Sequence, residues 1–230
     1  IGDDGSTRAS TIAVLKEAQE TWPDYIRIVR SAENRGTAHA LDMALAAADD
    51  DTKYFAVAGS DDIFHARWQS NRIKVFETLP KQIAIVYDNY MMLSYFAFDP
   101  NTWMPILDAA GKMIDNPALI PITLRPYDYR LLTDSNYIPG VSVFRASVFD
   151  KIPRTFVYEG YEEGMRHGED YALWLAITDH WDAFWMDNDH ALTWTFRFTS
   201  GSKYNRDRRG VERAKAILQH CAKERRGLLP

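Results

Sequence analysis

Three acidic pairs stand out as the residues best suited to chemistry: Asp3-Asp4, Asp61-Asp62 and Glu169-Asp170. Neighbouring carboxylates repel each other unless something positive offsets them. A hard divalent cation is one such offset, bound through one or two carboxylates with phosphate oxygens and water completing its shell. Bound there, it acts as a Lewis acid for a departing diphosphate. The other carboxylate of a pair can accept hydrogen bonds from ribose hydroxyls. Asp62 is therefore assigned to the metal (Mn or Mg) and Asp61 to the ribose, and the reverse assignment is equally open from sequence. Asp170 follows Gly168-Glu169, where a carboxylate at a helix N-terminus contributes roughly 0.3–1 kcal/mol by dipole and capping effects alone. His167 and His190 are isolated and are not taken as ligands.

The elements that position these pairs follow from hydrophobic periodicity. Helices are expected from about Thr7 (with Ile12, Leu15 and Ala18 on one face and Ser6 or Thr7 as cap), over 36–48, over 66–79, near 146–151, over 169–178 and from about Arg209. Strands are expected over 25–29, 54–58, 83–87, 141–144, 182–186 and 192–196. The early alternation of strand and helix implies an α/β fold with a mostly parallel sheet flanked by helices, in which ligands bind beyond the carboxyl ends of strands. Residues 89–135 break the alternation with five prolines and the turn Asp108-Ala109-Ala110-Gly111-Lys112, so they read as an inserted hairpin or excursion. Tyr127, Tyr129 and Tyr137 on this arm are candidates to line an acceptor groove. The density around Trp174, Trp181, Trp185 and Trp194 reads as core.

A hydrophobic content of 46% in 230 residues is enough for a full core, and one domain is the default. The net charge of −5 argues against a nucleic-acid binder. Residues 203–230 nevertheless form a basic helical extension, with nine Lys or Arg against three acidic residues between Lys203 and Arg226. Such a helix is usually a solvated face, and contact with anionic lipid or a diphosphate is the sharper reading. Cys221 is the only cysteine, which rules out an internal disulfide and fits a reducing compartment. No apolar run reaches the ~20 residues of a membrane span. The expected location is cytoplasmic, at the inner face of the membrane if the basic helix binds lipid. Ile1-Gly2 reads as the end of a strand, so the first strand is expected to be missing and the sequence to be a piece of a longer polypeptide.

Six segments, in order, resemble family 2 glycosyltransferases with the GT-A fold. Asp3-Asp4-Gly5-Ser6-Thr7 resembles the family's DDGST segment, and Asn34-Arg35-Gly36 with Ala40 and Ala44 its N-x-G-x-x-x-A-x-N-x-A stretch. Ser60-Asp61-Asp62 resembles the D-x-D-D signature, with Gly59 where that signature begins with Asp. Ile138-Pro139-Gly140-Val141-Ser142 is similar to the acceptor-side segment, Glu169-Asp170 to the ED helix, and 194–202 to the C-terminal loop. Asp42 stands where Asn is usual, and Phe198-Thr199 where a His is common. The resemblance covers residues 1 to about 202, the expected domain.

It implies inverting, hexosyltransferase-like transfer from a nucleotide-diphosphate sugar to a hydroxyl of a carbohydrate or lipid-linked acceptor, with Mn or Mg as cofactor. Asp3 or Asp4 would contact the nucleobase or ribose, with Asn34, Gly36 and Asp61 also on the donor side. Asp62 would hold the metal and Asp170 would be the general base, with Glu169 as modulator or as the base itself. Arg197 and Lys203 would close over the diphosphate from the loop at Ser200-Gly201-Ser202, and Tyr137 and Gly140 would face the acceptor. The alternative is a non-catalytic sugar-nucleotide or carbohydrate-binding module on the same fold. A haloacid-dehalogenase-type phosphatase fails on spacing, because Gly2 stands two before Asp4. A glycoside hydrolase would also use two carboxylates, and a nucleotidyltransferase would need a Gly-rich phosphate loop that the sequence lacks.

Overall fold

Gly2 and Ala40 show why small residues open this chain: a Cβ on Gly2 would lie 2.0 Å from the Ala40 carbonyl oxygen. That close approach packs strand β1 (Gly2–Asp3) on helix α2 (Thr37–Ala46). β1 pairs in parallel with β2 (Val29–Arg30). The computed structural model describes residues 1–99, 104–158, 167–189, 193–199 and 207–229. It divides into two units, the first made of Ile1–Lys53, Ala146–His180 and Gly210–Pro230, the second of Tyr54–Arg145 and Trp181–Arg209. The chain leaves and re-enters each unit.

In the first unit, α1 (Ala9–Thr21) turns its expected stripe inward, with Ile12, Leu15 and Ala18 half-buried and Val14 exposed. The expected cap differs. Arg8 occupies the N-cap without a side-chain bond, because Ser6 is engaged elsewhere: its N–H binds Asp3 and its carbonyl accepts from Arg30. The strand expected over 25–29 shrinks to β2. After Pro23 the chain makes a turn in which the Tyr25 and Ile26 N–H groups both donate to the Trp22 carbonyl, leaving Tyr25 exposed. Asp42 of α2 accepts from Thr155 Oγ1 at 2.8 Å and the Phe156 N–H at 2.6 Å, tying down the segment after a 3-10 turn at Ala146–Asp150.

The centre of this unit is α5 (Glu169–Thr178), in which every residue from Tyr171 to Thr178 is buried. A helix apolar all round belongs in a core. Here its cover includes α6 (Arg208–Arg225), which buries Ala214, Leu218 and Ala222. A Cβ on Gly168 would lie 2.9 Å from Leu218 Cδ1. Arg226 donates to Asp179, to the Leu175 carbonyl and to Thr178 Oγ1, so it caps the C-terminal end of α5. The basic helix expected as an extension is thus built into the first unit. No helix among the described residues is long and apolar enough to cross a membrane.

The second unit holds two four-stranded sheets. One has the order β11 (Asp182–Met186), β5 (Ile83–Asp88), β10 (Val143–Arg145), β3 (Tyr54–Ala56). β5 and β11 run parallel, as expected, but β10 is antiparallel to both of its neighbours. The sheet is mixed because β10 arrives from the inserted arm, not through a helical crossover, and only such crossovers enforce a parallel return. Helix α3 (Trp68–Thr78) packs on β5. The other sheet has the order β4 (Ile63–Phe64), β12 (Trp194–Phe198), β6 (Tyr90–Phe96), β9 (Asp115–Ile122). The expected excursion therefore supplies two long antiparallel strands and the two-stranded hairpin β7 (Phe98–Asp99) and β8 (Met104–Pro105). Its tip turns where expected, with Asp108 Oδ1 accepting from the Ala110 and Lys112 N–H groups at 2.9 Å each and Gly111 at φ 77°. A short helix, α4 (Tyr129–Asp134), ends the arm.

Candidate active site

In the first unit, Asp3 and Asp4 share a loop but serve different neighbours. Asp3 is buried, accepts the Ser6 N–H at 3.0 Å and pairs with Arg30 at 3.2 Å. Hydrogen bonds from Ser6, and then the Arg30 charge, hold its carboxyl below the usual range although burial opposes them. Asp4 reaches across to the next loop, where its two oxygens accept the Arg35 and Gly36 N–H groups at 2.8 and 2.7 Å. It thereby fixes the loop that leads into α2, whose N-cap Gly36 has φ 101°. Gly5 is required between these loops: it has φ 72°, and a Cβ there would sit 2.7 Å from the Glu33 carbonyl carbon. The loop that results presents Asn34, which is exposed, beside the Asp3-Asp4 turn.

Glu169 and Asp170 occupy the first turn of α5, behind Gly168 in the left-handed region at φ 84°. Both are half-buried, and Asp170 Oδ1 accepts the Tyr171 N–H at 2.8 Å. The buried run that follows anchors this turn, so the two carboxylates sit at the end of a rigid element.

In the second unit, Asp61 and Asp62 lie in the turn between β3 and β4. The Asp62 N–H donates to the Gly59 carbonyl at 3.3 Å. A Cβ on Gly59 would lie 2.9 Å from Asp61 Oδ1 and 3.1 Å from Asp62 Oδ2, so both carboxylates fold over the bare backbone of that glycine. β4, which sequence reading did not anticipate, pairs Phe64 with Trp194 and Ile63 with Thr195 on β12. This pairing brings Asp62 to β12, where its Oδ1 meets the Arg197 N–H at 3.4 Å. That single long bond offsets little. Burial and the adjacent Asp61 charge raise the Asp62 carboxyl to about 6. Beneath the turn, Tyr90 stacks on Trp194 at 4.5 Å, and burial together with the Asp62 charge pushes its phenol up to about 12.

The other expected residues of this unit are spread more widely. Arg197 lies within β12, not on a loop. Tyr137 is half-buried; its hydroxyl accepts the Asp128 N–H at 2.7 Å and donates to the Asp128 carbonyl at 3.0 Å, so it braces the start of α4. Gly140 sits in the turn before β10, which Ser142 closes by donating to the Pro139 carbonyl. Trp194 belongs to the core, as does Trp174 in the first unit. Lys203, His190 and the loop at 200–202 lie outside the described residues. Among the described residues, no three His, Cys, Asp or Glu side chains group together as a metal cluster.

One polar constellation escaped sequence reading. Asp88-Asn89 ends β5, and Asp187-Asn188 follows its parallel neighbour β11. Asn89 donates to Asp187 and to the Asn188 carbonyl and accepts from the Leu124 N–H and Trp185 Nε1, while Asp88 pairs with buried Arg72. The polar run 187–189 directly after a strand was the available signal. Its members are engaged with one another, so it reads as the lock of two strand ends.

Residues 1–152 match the family model described as glycosyl transferase family 2. The chain belongs to that family. No curated protein matches it. The match spans Asp3-Asp4, Asn34-Arg35-Gly36, Asp61-Asp62 and the segment around Gly140, while Glu169-Asp170 lies beyond it. The α/β architecture, with mixed sheets and flanking helices, accords with the GT-A fold of family 2 glycosyltransferases, and glycosyl transfer is the general activity of this chain.

Proposed function

We propose that this family 2 glycosyltransferase transfers a sugar from a nucleoside diphosphate donor to a hydroxyl of a saccharide or lipid-linked saccharide acceptor, with inversion. The observation that carries the reading is the sparsely paired Asp61-Asp62, where burial and then the Asp61 charge raise the Asp62 carboxyl to about 6 despite the nearby Arg197. These residues fit a divalent cation: two oxygens converge over Gly59, and the only described donor to Asp62 is one long N–H contact. Mg and Mn sites of this type use one or two carboxylates and leave the remaining positions to phosphate oxygens and water. Such a cation, when bound, would neutralise negative charge developing on the diphosphate. Asp62 would be its ligand, and Asp61 would orient the ribose.

Asp170 is the proposed general base. The acceptor oxygen attacks the anomeric carbon, its proton passes to the Asp170 carboxylate, and the bond to the diphosphate oxygen breaks with its electron pair leaving on the nucleotide. Attack from the side opposite the leaving group inverts the anomeric configuration. Glu169, one residue away in the same turn, is the proposed modulator of that base. The loop at Asp3, Asp4, Asn34 and Gly36 is assigned to the nucleoside. With Asp4 occupied by backbone donors, its contribution is to shape that loop.

The test is a panel of UDP-, GDP- and dTDP-sugars measured for Mn- or Mg-dependent thermal stabilisation and product formation, repeated on Asp62→Ala. One donor is expected to stabilise the wild type only with metal, and the substitution should abolish that difference. Metal-dependent stabilisation that survives Asp62→Ala would overturn the assignment.

A further inference from the structure

The second unit contains a cavity of about 690 Å³ that the reading above leaves unused. It lies open at the carboxyl ends of β6 and β12, which pair in parallel, and residues near the tip of the inserted arm line its other side. Strand carboxyl ends are where α/β folds bind ligands. The volume falls within the roughly 300–1,000 Å³ of small-molecule sites.

Its lining has a definite chemistry. Lys112 and Arg197 supply two cations against the single carboxylate of Asp115, and Thr199 adds a hydroxyl. Among the described residues, buried Arg197 Nε finds no hydrogen-bond partner, although a buried donor ordinarily has one. Tyr95 and Leu107 contribute apolar surface left exposed to solvent, at 42% and 53%. An aromatic face beside polar groups suits the C–H face of a sugar ring, which carries hydroxyls around its rim. A guanidinium with an unpaired Nε among the described residues, next to a lysine, suits a carboxylate or phosphate. Arg197 links the cavity to the Asp61-Asp62 turn, because the same residue that lines it presents its backbone N–H to Asp62.

We infer that this cavity is an acceptor subsite selective for an acidic saccharide, with the anionic group held by Arg197 and Lys112 and the ring laid on Tyr95. The inference rests on the glycosyltransferase reading for the word acceptor, but not for the binding itself. Neither a donor nor a metal is needed to fill the cavity, so binding can be measured without either.

Titration calorimetry on the full chain in chelator would compare a uronic-acid disaccharide, a sugar phosphate and a neutral disaccharide. At least one acidic ligand should bind about tenfold or more tightly than the neutral one, as a charge-assisted bidentate contact implies. Preference for the uronate identifies the anion as a carboxylate, and preference for the phosphate ester identifies it as a phosphate. Arg197→Gln should remove that preference. Lys112→Gln, at the exposed tip of the arm, should weaken it severalfold without risk to folding. Asp62→Ala should leave saccharide binding intact, which separates this inference from the donor reading. Equal affinity for neutral and acidic sugars, no binding of any of the three, or acidic binding indifferent to both Lys112→Gln and Arg197→Gln would overturn it.

Discussion

The chain carries the same dipeptide twice after a strand, and the two copies differ in what answers their charge. At Asp3-Asp4, four donors converge: the Ser6, Arg35 and Gly36 N–H groups and the Arg30 guanidinium. Asp61-Asp62 receives one described N–H, at 3.4 Å, and each carboxylate faces the other. The first pair is therefore a structural clamp that shapes a loop. Among the described residues, the second is answered only by that long N–H and the nearby Arg197 charge, which do not outweigh burial and the Asp61 charge. Sparse pairing, more than acidity as such, distinguishes the pair proposed to hold a cation.

The largest effect that could break this comparison is on turnover. Asp62→Asn should lower glycosyl transfer by about 100-fold or more, since it removes a carboxylate proposed to organise charge in the transition state. Its chelator-treated form should not be less stable than the wild type. Asp4→Ala should behave oppositely, losing about 1–3 kcal/mol of stability because two backbone donors lose a charged acceptor. Equal stability losses from the two substitutions, in thermal and denaturant melts, would erase the distinction.

The flanking glycines offer a test of intermediate size. Gly5→Ala forces a side chain into positive φ against the Glu33 backbone and should cost about 1–3 kcal/mol, read by denaturant melts. Gly59→Ala puts a methyl group on the oxygens of Asp61 and Asp62, which are side-chain atoms and can move. It should cost little stability and weaken the metal-dependent thermal shift instead. A normal metal response in Gly59→Ala would show that the bare backbone there does not matter.

The smallest effect is in the pH dependence, where the pairs should have opposite signs. Asp62 is raised in the fold to about 6 from the ordinary 3.8, so the metal-free protein should lose stability from this group as pH rises through that interval. Asp3 is lowered, so its contribution is present above the unfolded value and disappears as pH falls through the folded one. Melts in chelator between pH 3 and 7, on wild type and Asp62→Asn, should show the first slope only in the wild type. Asp61→Asn should reduce that slope without abolishing it, because burial is the larger cause and the Asp61 charge the second.

Much of the architecture was legible because local periodicity and local chemistry agree. The α5 and β11 boundaries, the Asp108 turn and the inward stripe of α1 all follow from residues within a few positions of one another. The β10 direction, the two-residue β4 and the docking of α6 on α5 were not legible. Each is decided by pairing partners dozens of residues away, such as Trp194 for Phe64 and Leu218 for Gly168. The acidic pairs themselves were visible in the sequence, along with their places at strand and helix ends.

What the sequence alone determined, then, is the α/β class, the inserted arm, the family and the short list of carboxylates, since these depend on residue type and spacing. Tertiary structure decided which Asp-Asp pair is the more sparsely hydrogen-bonded among the described residues, and it gathered Tyr95, Lys112 and Arg197 around one cavity. Hydrogen bonds from distant loops either reach a carboxylate or they do not, and no local pattern encodes that reach.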